Sequence, residues 1–295
     1  MMDFNMFQEV VKDNILNSLP AEYKEASVSV HAVPKVNRTL HALMVMLPDH
    51  NKAPNIYLEE MYEHYQQNED IQTTLAEVAD AVVEATKEMS KVNPVLDADK
   101  IQDNVVLCLV NSTQNEELLK DVPNRRFQDL SVIYRWVVNI DRDGMQSMII
   151  TNDFAANRGF TEEELFQHAV ENTKRICPPR VKSMQEVMAD LVVEDGMSQE
   201  LLESMGVFEE IPPEKNLWVL TNEMGINGAV SMLYEENLHK LAEQIGTDLY
   251  LLPSSIHETI AVSVEMGAPE YLAQMVHDVN MTAVTLDERL SNNVY

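Results

Sequence analysis

Cysteine is nearly absent from this chain of 295 residues, which contains only Cys108 and Cys177. Small secreted domains that depend on disulfides are rich in cysteine, so two cysteines provide no disulfide framework. Cys108 lies within the apolar run VVLCLV, a setting typical of a buried free thiol. The sequence therefore predicts free thiols and excludes a disulfide-rich secreted scaffold.

Basic residues are also scarce, with 21 lysines and arginines against 49 acidic residues and a net charge of −28. Nucleic acids and anionic membranes attract proteins through lysine and arginine, so this balance excludes non-specific binding to either. The densest basic cluster is Arg125-Arg126, which is too small for a nucleic-acid surface. The acidic balance is compatible with a basic protein partner, and it also increases solubility.

Long apolar runs are missing, although 45% of the residues are hydrophobic. That proportion is enough for a folded core, but each run is too short to span a bilayer. The first residues, MMDFNMFQEVV, have neither the basic nor the apolar region of a secretory leader. We therefore expect a folded cytoplasmic protein with no membrane partner; the oligomeric state is not predicted.

Motifs for metals and cofactors are lacking as well. The chain has no His-x-x-x-His, Cys-x-x-Cys, Walker loop or Gly-x-Gly-x-x-Gly. Glu236 and His239 have a di-iron spacing but no second copy, and Glu236 is placed to pair with Lys240. The stretch from Asp141 to Gly144 lacks the remaining ligands of a calcium loop. We expect no metal and no cofactor.

Hairpin signals are what the chain does contain. Asp143-Gly144 lies between two strand-like runs, and the turn Pro253–Ser255 separates an apolar run from an alternating one that starts at Ile256. Hairpins join antiparallel strands, and the chain also carries amphipathic helical stretches. The sequence predicts an α+β fold of mainly antiparallel sheets flanked by helices, with residues 229–233 as a further strand.

The segment VNPVLDAD, residues 92–99, is the best candidate boundary between lobes. It follows a long helical pattern and precedes a nearly continuous apolar strand. We therefore expect an N-terminal α+β lobe of residues 1–95 and a larger C-terminal α+β lobe of residues 96–295.

A long helix is predicted over residues 71–89, with Leu75, Val78 and Val82 on its apolar side. Its opposite side and the helix before it carry acidic residues. An ordinary solvated surface is one interpretation of this pattern, and a docking surface for a basic partner is the other. The candidate interaction face consists of Glu59, Glu60, Glu63, Glu77, Asp80, Glu84 and Glu88.

Ser255, His257 and Glu258 supply the residue types of a nucleophile, a base and an orienting carboxylate. Their spacing is poor, because neighbours on a strand such as His257 and Glu258 point to opposite faces. The chain also lacks the Gly-x-Ser-x-Gly turn of many hydrolases. The alternative is a turn in which Ser254 or Ser255 binds local backbone groups.

Three segments carry a family resemblance: ELLKDVPNRRFQDLSVIYRW (Glu117–Trp136), IITNDF followed by GFTEEELFQHAVENT (within Ile149–Thr173), and GTDLYLLPSSIHETI (Gly246–Ile260). Together they resemble a bacterial family catalogued as domain of unknown function 5688. The resemblance covers nearly the whole chain and implies a protein of gut-dwelling Gram-positive bacteria, encoded often near mobile elements. More distantly, the order of elements resembles the YtpQ-like family. Neither resemblance implies a catalytic residue.

Two functions follow as expectations. The first is a non-enzymatic interaction protein whose acidic surface contacts a basic protein, in its sharper form a nucleic-acid mimic that blunts a host defence. The second, from a different class, is a hydrolase that uses Ser255 and His257.

Overall fold

The computed structural model describes residues 1–48, 50, 52–91, 101–141, 144–194 and 211–295. The chain forms two compact units, Met1–Asp97 and Ala98–Tyr295. In the described ranges both units combine helices with sheets whose strand pairs are all antiparallel, which confirms the predicted α+β class. The boundary predicted at residues 92–99 lies outside those ranges.

The first unit is a three-stranded sheet with the strand order β1-β2-β3, packed against three helices. A tight turn joins β1 to β2, and Asn37 in that turn has a φ of 61°, a conformation that asparagine tolerates well. The elements are α1 (Phe4–Ser18), β1 (Ser27–Lys35), β2 (Arg38–Met46), β3 (Asn55–Tyr57), α2 (Leu58–Asn68) and α3 (Ile71–Lys91).

Apolar residues at helical spacing form the core of the first unit. Phe7, Val11 and Ile15 of α1 recur at spacings of four residues, and all three are fully buried. Asp3 caps the helix, because its carboxylate accepts the Met6 N–H at 2.8 Å. Val78 of α3 is equally buried in the same cluster, so the helices share one apolar layer with the sheet.

The second unit contains two four-stranded sheets. One has the order β4-β6-β5, with β7 also paired to β6, and the other has the order β10-β11-β9-β8. The elements are α4 (Ile101–Asn104), β4 (Val105–Asn111), α5 (Glu116–Asp121), β5 (Asn124–Phe127), β6 (Leu130–Asp141), β7 (Gly144–Ile149), α6 (Asn152–Arg158), α7 (Glu162–Ile176), β8 (Pro179–Ser183), α8 (Met184–Glu194), β9 (Trp218–Asn222), α9 (Glu235–Ile245), β10 (Leu249–Leu252), β11 (Thr259–Ser263) and α10 (Pro269–Thr282).

Local signals placed several of these elements correctly. The hairpin predicted from Asp143-Gly144 is confirmed, since Asp141 pairs with Gly144, although residues 142–143 between them are not described. The helix α7 begins with the capping box expected from its sequence. The Glu164 carboxylate accepts the Thr161 N–H at 2.9 Å, and the Thr161 hydroxyl accepts the Glu164 N–H at 3.3 Å.

Strand β4 pairs with β6 and is buried along its apolar run. The six residues from Val105 to Val110 are all buried, as the apolar run predicts, and helix α7 packs against them. Both cysteines are free and buried. Burial raises the pKa of the Cys108 thiol to about 11, so this thiol stays protonated and unreactive at neutral pH.

Two elements differ from the prediction. Residues 229–233 were expected as a strand but lie in a 3-10 helix, Gly228–Leu233, whose Ser231 hydroxyl donates to the Thr221 carbonyl at 2.7 Å. Short apolar runs that are fully buried do not distinguish a strand from a helix by periodicity. Strand β11 begins at Thr259 rather than at Ile256, because the preceding residues form a turn.

No helix within the described ranges combines the length and the apolarity that crossing a membrane requires.

Candidate functional site

The acidic residues of α3 form one line along the helix. Asp70 begins α3 by accepting the Gln72 N–H at 2.9 Å and the Thr73 hydroxyl at 2.8 Å. The Thr73 hydroxyl, with the backbone N–H groups of Thr73 and Gln72, lowers the pKa of Asp70 below its ordinary value. From this start, spacings of three and four residues place the acids on the side opposite the buried residues. The line consists of Glu77, Asp80, Glu84 and Glu88.

Two acids of α2 extend this line. Glu60 and Glu63 are exposed on the outer side of α2. His64 of the same side lies 3.5 Å from the Glu77 carboxylate, measured from Nδ1 to Oε2, so the outer sides of α2 and α3 meet there. We call this surface the acidic face, defined by Glu60, Glu63, Glu77, Asp80, Glu84 and Glu88.

Glu59 has a different role from the one the sequence suggested. Its carboxylate accepts the backbone N–H of His41 at 2.8 Å and lies 2.9 Å from the His41 Nδ1. The side chain is 27% exposed. Glu59 therefore fastens the start of α2 to β2, and the structure does not bring it to the acidic face.

Asp80 and Glu84 are exposed and form no ion pair with a described lysine or arginine. Aligned, solvated carboxylates without a basic partner present their negative charge to any approaching molecule. The geometry of the face therefore suits attraction of a positively charged surface.

The second predicted group, around Ser255, forms a turn. The Ser255 hydroxyl accepts the backbone N–H of His257 at 2.9 Å, and Ser255 pairs with Arg289 in an isolated β-bridge. Ser255 is 4% exposed, which leaves its hydroxyl little surface for a substrate. This is the local backbone binding that the alternative interpretation expected.

The imidazole of His257 contacts Asn227 and Glu288. Its Nδ1 accepts the Asn227 N–H at 3.2 Å, and its Nε2 lies 3.5 Å from the Glu288 carboxylate. Since a backbone N–H can only donate, the neutral ring carries its proton on Nε2. The structure therefore joins His257 to Asn227 and Glu288, and it shows no hydrogen bond between the His257 ring and Ser255.

Glu258 has a raised pKa, which is a property of many catalytic acids. Burial raises its pKa above the ordinary value, as does the Glu288 carboxylate, while His257 and a hydrogen bond with Ser255 oppose the shift. A carboxyl with a raised pKa beside a serine is chemically suited to proton transfer. Ser255 beside it is buried, which leaves the serine little access to a substrate.

The described ranges contain no group of three or more histidine, cysteine, aspartate or glutamate side chains that could hold an ion. Glu236 forms the predicted ion pair with Lys240 at 2.7 Å. His239 lies 3.2 Å from Glu243, and both side chains are largely exposed.

A cluster around Arg125 was missed by sequence reasoning. The guanidinium donates to Glu162 at 3.1 and 2.9 Å and lies 3.9 Å from the centre of the Phe166 ring. The buried Tyr134 hydroxyl donates to the same Glu162, and burial together with this bond raises the pKa of Tyr134. Hydrogen bonds from Gln167 and Arg125 lower the pKa of Glu163. The cluster fastens α7 to β5 and β6.

A cavity of about 560 Å³ in the second unit was missed as well. No sequence motif predicts it, because its wall combines short pieces of β4, α7, β8, the 3-10 helix Gly228–Leu233 and the start of α9. Its lining residues are Leu107, Phe166, Val170, Lys174, Pro179, Leu233, Tyr234, Glu235, Glu236 and Asn237.

Comparisons with known proteins show the family of the chain. No curated protein and no solved structure matches the chain. The model of the Family of unknown function (DUF5688) matches residues 4–295, which is nearly the whole chain and includes every segment that carried the resemblance. The chain therefore belongs to the Family of unknown function (DUF5688).

Proposed function

We propose that this is a non-enzymatic interaction protein that binds a basic protein through its acidic face. One observation carries the proposal: the acids of α3 lie on a single line opposite the buried side, and Asp80 and Glu84 have no basic partner among the described residues. A scattered distribution of acids would serve solubility equally well. An aligned one concentrates negative potential on one surface.

The electrostatics favour attraction over a distance. The net charge of −28 repels nucleic acid and anionic lipid, and it steers basic proteins toward the chain. On the acidic face, part of this charge is aligned along α3. We place the interaction in the bacterial cytoplasm, as the family resemblance suggests.

The finer form of the proposal is nucleic-acid mimicry. Carboxylates along α3 recur about once per helical turn of about 5.4 Å, and the outer acids of α2 lie beside them. Such an array can occupy a basic nucleic-acid channel in place of phosphates. The resemblance implies a gene that lies near mobile elements, and from this we infer a target in host defence.

A charge-reversal experiment tests the proposal. Asp80→Lys combined with Glu84→Lys inverts the centre of the acidic face, while Glu171→Lys combined with Glu270→Lys makes the same change in net charge at exposed sites of the other unit. In pull-downs from bacterial lysate at low salt, we expect the first variant to lose the partner and the second to keep it. Equal capture by the two variants would remove the acidic face as the binding surface.

The hydrolase alternative has a direct test. A fluorophosphonate probe labels a serine that a base has activated. We expect no labelling of Ser255, because its hydroxyl is buried and the His257 ring is held by Asn227. Labelling that disappears in Ser255→Ala and His257→Ala would establish the hydrolase in place of the interaction protein.

A further inference from the structure

We propose that an extended segment of a partner protein pairs with the free edge of β1, in the groove between β1 and α1. This contact is separate from the proposed function, because it uses α1 and β1, whereas the acidic face lies on α2 and α3. What it recognises is the backbone of an extended polypeptide rather than a basic surface.

β1 is an outer strand of its sheet, whose strand order is β1-β2-β3. Two residues separate Lys35 from Arg38 in the hairpin turn, so these residues face each other as a hydrogen-bonded pair. The register of β1 against β2 has no shift, and bonded and non-bonded positions alternate in an antiparallel pair. The N–H and C=O groups of Val28, Val30 and Ala32 therefore point away from β2. We call these three residues the open edge.

The open edge is not closed by other parts of the described chain. Pro34 occupies the next outward position and has no N–H, so it ends the open edge near the turn. Two edges of the second unit are closed by the chain itself. The Leu251 N–H of β10 donates to the Tyr295 carbonyl at 2.9 Å, and the Leu107 N–H of β4 donates to the Thr173 hydroxyl at 2.9 Å. The edge of β1 is thus available to a further strand.

A groove of about 460 Å³ lies beside the open edge. Val30 and Ala32 form part of one side, and Gln8 and Lys12 of α1 form part of the other. The side-chain nitrogen of Gln8 is buried and has no hydrogen-bond partner among the described atoms. A buried donor without an acceptor is unfavourable, and a carbonyl oxygen of an added strand supplies that acceptor.

A segment of another protein suits this edge better than a second copy of the chain. Each copy has a net charge of −28, so two copies repel each other. The groove contains one acid, Glu9, and one base, Lys12, which together favour no charged side chain. Recognition therefore depends on the main chain. A segment of about five residues covers the open edge from Val28 to Ala32.

Random peptides of about seven residues, displayed on phage, are long enough to cover the open edge and serve as the probe. Selection on the full chain at about 1 M salt suppresses attraction to the acidic face, since charges are then screened over about 3 Å. The enriched peptides are synthesised and titrated in the same buffer. We expect saturable binding that is lost when one alternating set of peptide amides is N-methylated and kept when the other set is. If no peptide is enriched, or if both sets behave alike, the proposal is wrong.

Substitutions at Val30 locate the binding edge. Val30→Pro removes one outward N–H and no ladder bond to β2, while Val30→Thr keeps the N–H and is the matched control. We expect the selected peptides to bind Val30→Pro about tenfold or more weakly and Val30→Thr as tightly as the wild type. Melting curves establish that both variants fold, and equal binding by the two would exclude this edge. Asp80→Lys with Glu84→Lys should bind the peptides normally, so this test and that of the acidic face can fail independently.

Hydrogen exchange on the wild type tests the geometry without any substitution. In the free protein, the amides of the open edge should exchange faster than those of Ser29 and His31, which bond to β2. A selected peptide should slow exchange at the open edge about tenfold or more and leave the ladder amides unchanged. Slow exchange at the open edge before peptide is added, or no slowing at a saturating peptide concentration, would overturn the proposal.

Discussion

Two buried tyrosines, Tyr134 and Tyr234, differ in whether the hydroxyl has a hydrogen-bond partner. Tyr134 is fully buried and Tyr234 is 7% exposed, and burial is the largest cause of a raised pKa in both. The Tyr134 hydroxyl donates to Glu162, while the Tyr234 hydroxyl has no hydrogen-bond partner among the described atoms. A buried polar group without a partner is unfavourable, so the two hydroxyls have opposite effects on stability.

Phenylalanine at each position separates these effects. Tyr134→Phe should lower the free energy of unfolding by about 1–3 kcal/mol, because a bond to a charged carboxylate is lost. Tyr234→Phe should leave it unchanged or raise it, because no bond is lost. Urea denaturation of both variants measures the difference. An equal loss of stability in the two variants would show that the Tyr234 hydroxyl is bonded.

Glu258 predicts a dependence of stability on pH. Its pKa is raised in the folded chain, chiefly by burial, so the folded state holds the proton more tightly than the unfolded state does. The contribution of Glu258 to the free energy of unfolding is therefore fully present below the ordinary pKa of 4.5. It is lost as the pH rises through the raised pKa of the folded state.

Glu258→Gln mimics the protonated form at every pH. We expect this variant to melt at a higher temperature than the wild type at neutral pH, with the gap closing below pH 4.5, where the wild-type carboxyl is itself protonated. Melting curves across this range measure the gap. A gap that widens toward acidic pH would mean that the carboxylate is stabilised by its neighbours instead.

At the residue scale, the sequence predicts positions on a helix better than contacts between distant segments. The line from Glu77 to Glu88 follows from helical periodicity alone. The partner of Glu59 does not, because His41 lies 18 residues away on another element. The partner of the His257 ring, Asn227, is 30 residues away in sequence.

At the scale of elements, Gly228 explains why residues 228–233 form a compact 3-10 helix against β9. A side chain at this position would place its Cβ 2.3 Å from the Thr221 hydroxyl and 2.4 Å from the His257 carbonyl oxygen. Only glycine allows that approach. The Thr221 hydroxyl donates to the same carbonyl at 2.8 Å, which holds the turn that contains Ser255 and His257 against β9.

Gly228→Ala should therefore lower the free energy of unfolding by about 3 kcal/mol or more, since backbone atoms must move to admit the methyl group. Gly225→Ala is the comparison. Its φ of 65° is strained for alanine, but its Cβ would meet nothing within 4 Å, so we expect a loss of only about 1 kcal/mol. Chemical denaturation that ranks Gly225→Ala as the more damaging change would contradict the close approach.

Elements with local signals were predicted well, and elements defined by tertiary contacts were not. The Asp-Gly turn and the capping box of Thr161 and Glu164 are complete within four residues of sequence. The 3-10 helix after Gly228 depends on Thr221 and His257, which no short window contains. The cavity depends on five elements for the same reason, including the 3-10 helix that contributes Leu233.

At the scale of the molecule, Asp129 ties distant parts of the second unit together. Its carboxylate accepts the Ser291 hydroxyl and the Asn293 side-chain amide, each at 2.9 Å, and the Tyr295 hydroxyl donates to it as well. Tyr295 in turn exchanges two backbone hydrogen bonds with Leu251, at 2.9 and 3.0 Å. The turn between β5 and β6 therefore fixes residues 290–295 against β10.

Asp129→Ala should release this link, because three donors lose one acceptor. We expect faster hydrogen exchange at the amides of Leu251 and Tyr295, while the amides of the first unit keep their wild-type rates. Asp121→Asn, at an exposed position on α5, is the control. Unchanged exchange at Leu251 would show that the tail is held without Asp129.

The net charge of −28 is that of the whole chain. The proposed function depends on the acidic residues that lie along α2 and α3. Attraction between charged surfaces is screened over a distance of about 10 Å at about 0.1 M salt. Apolar docking would respond weakly to salt. The salt dependence of binding therefore distinguishes an electrostatic face from an apolar one.

The most direct test is partner capture from bacterial lysate, measured across a series of salt concentrations for the wild type and the two charge-reversal pairs. The account predicts capture that falls steeply as salt rises, that is absent at low salt for Asp80→Lys with Glu84→Lys, and that is unchanged for Glu171→Lys with Glu270→Lys. Capture that is insensitive to salt, or that survives reversal at Asp80 and Glu84, would contradict binding through the acidic face.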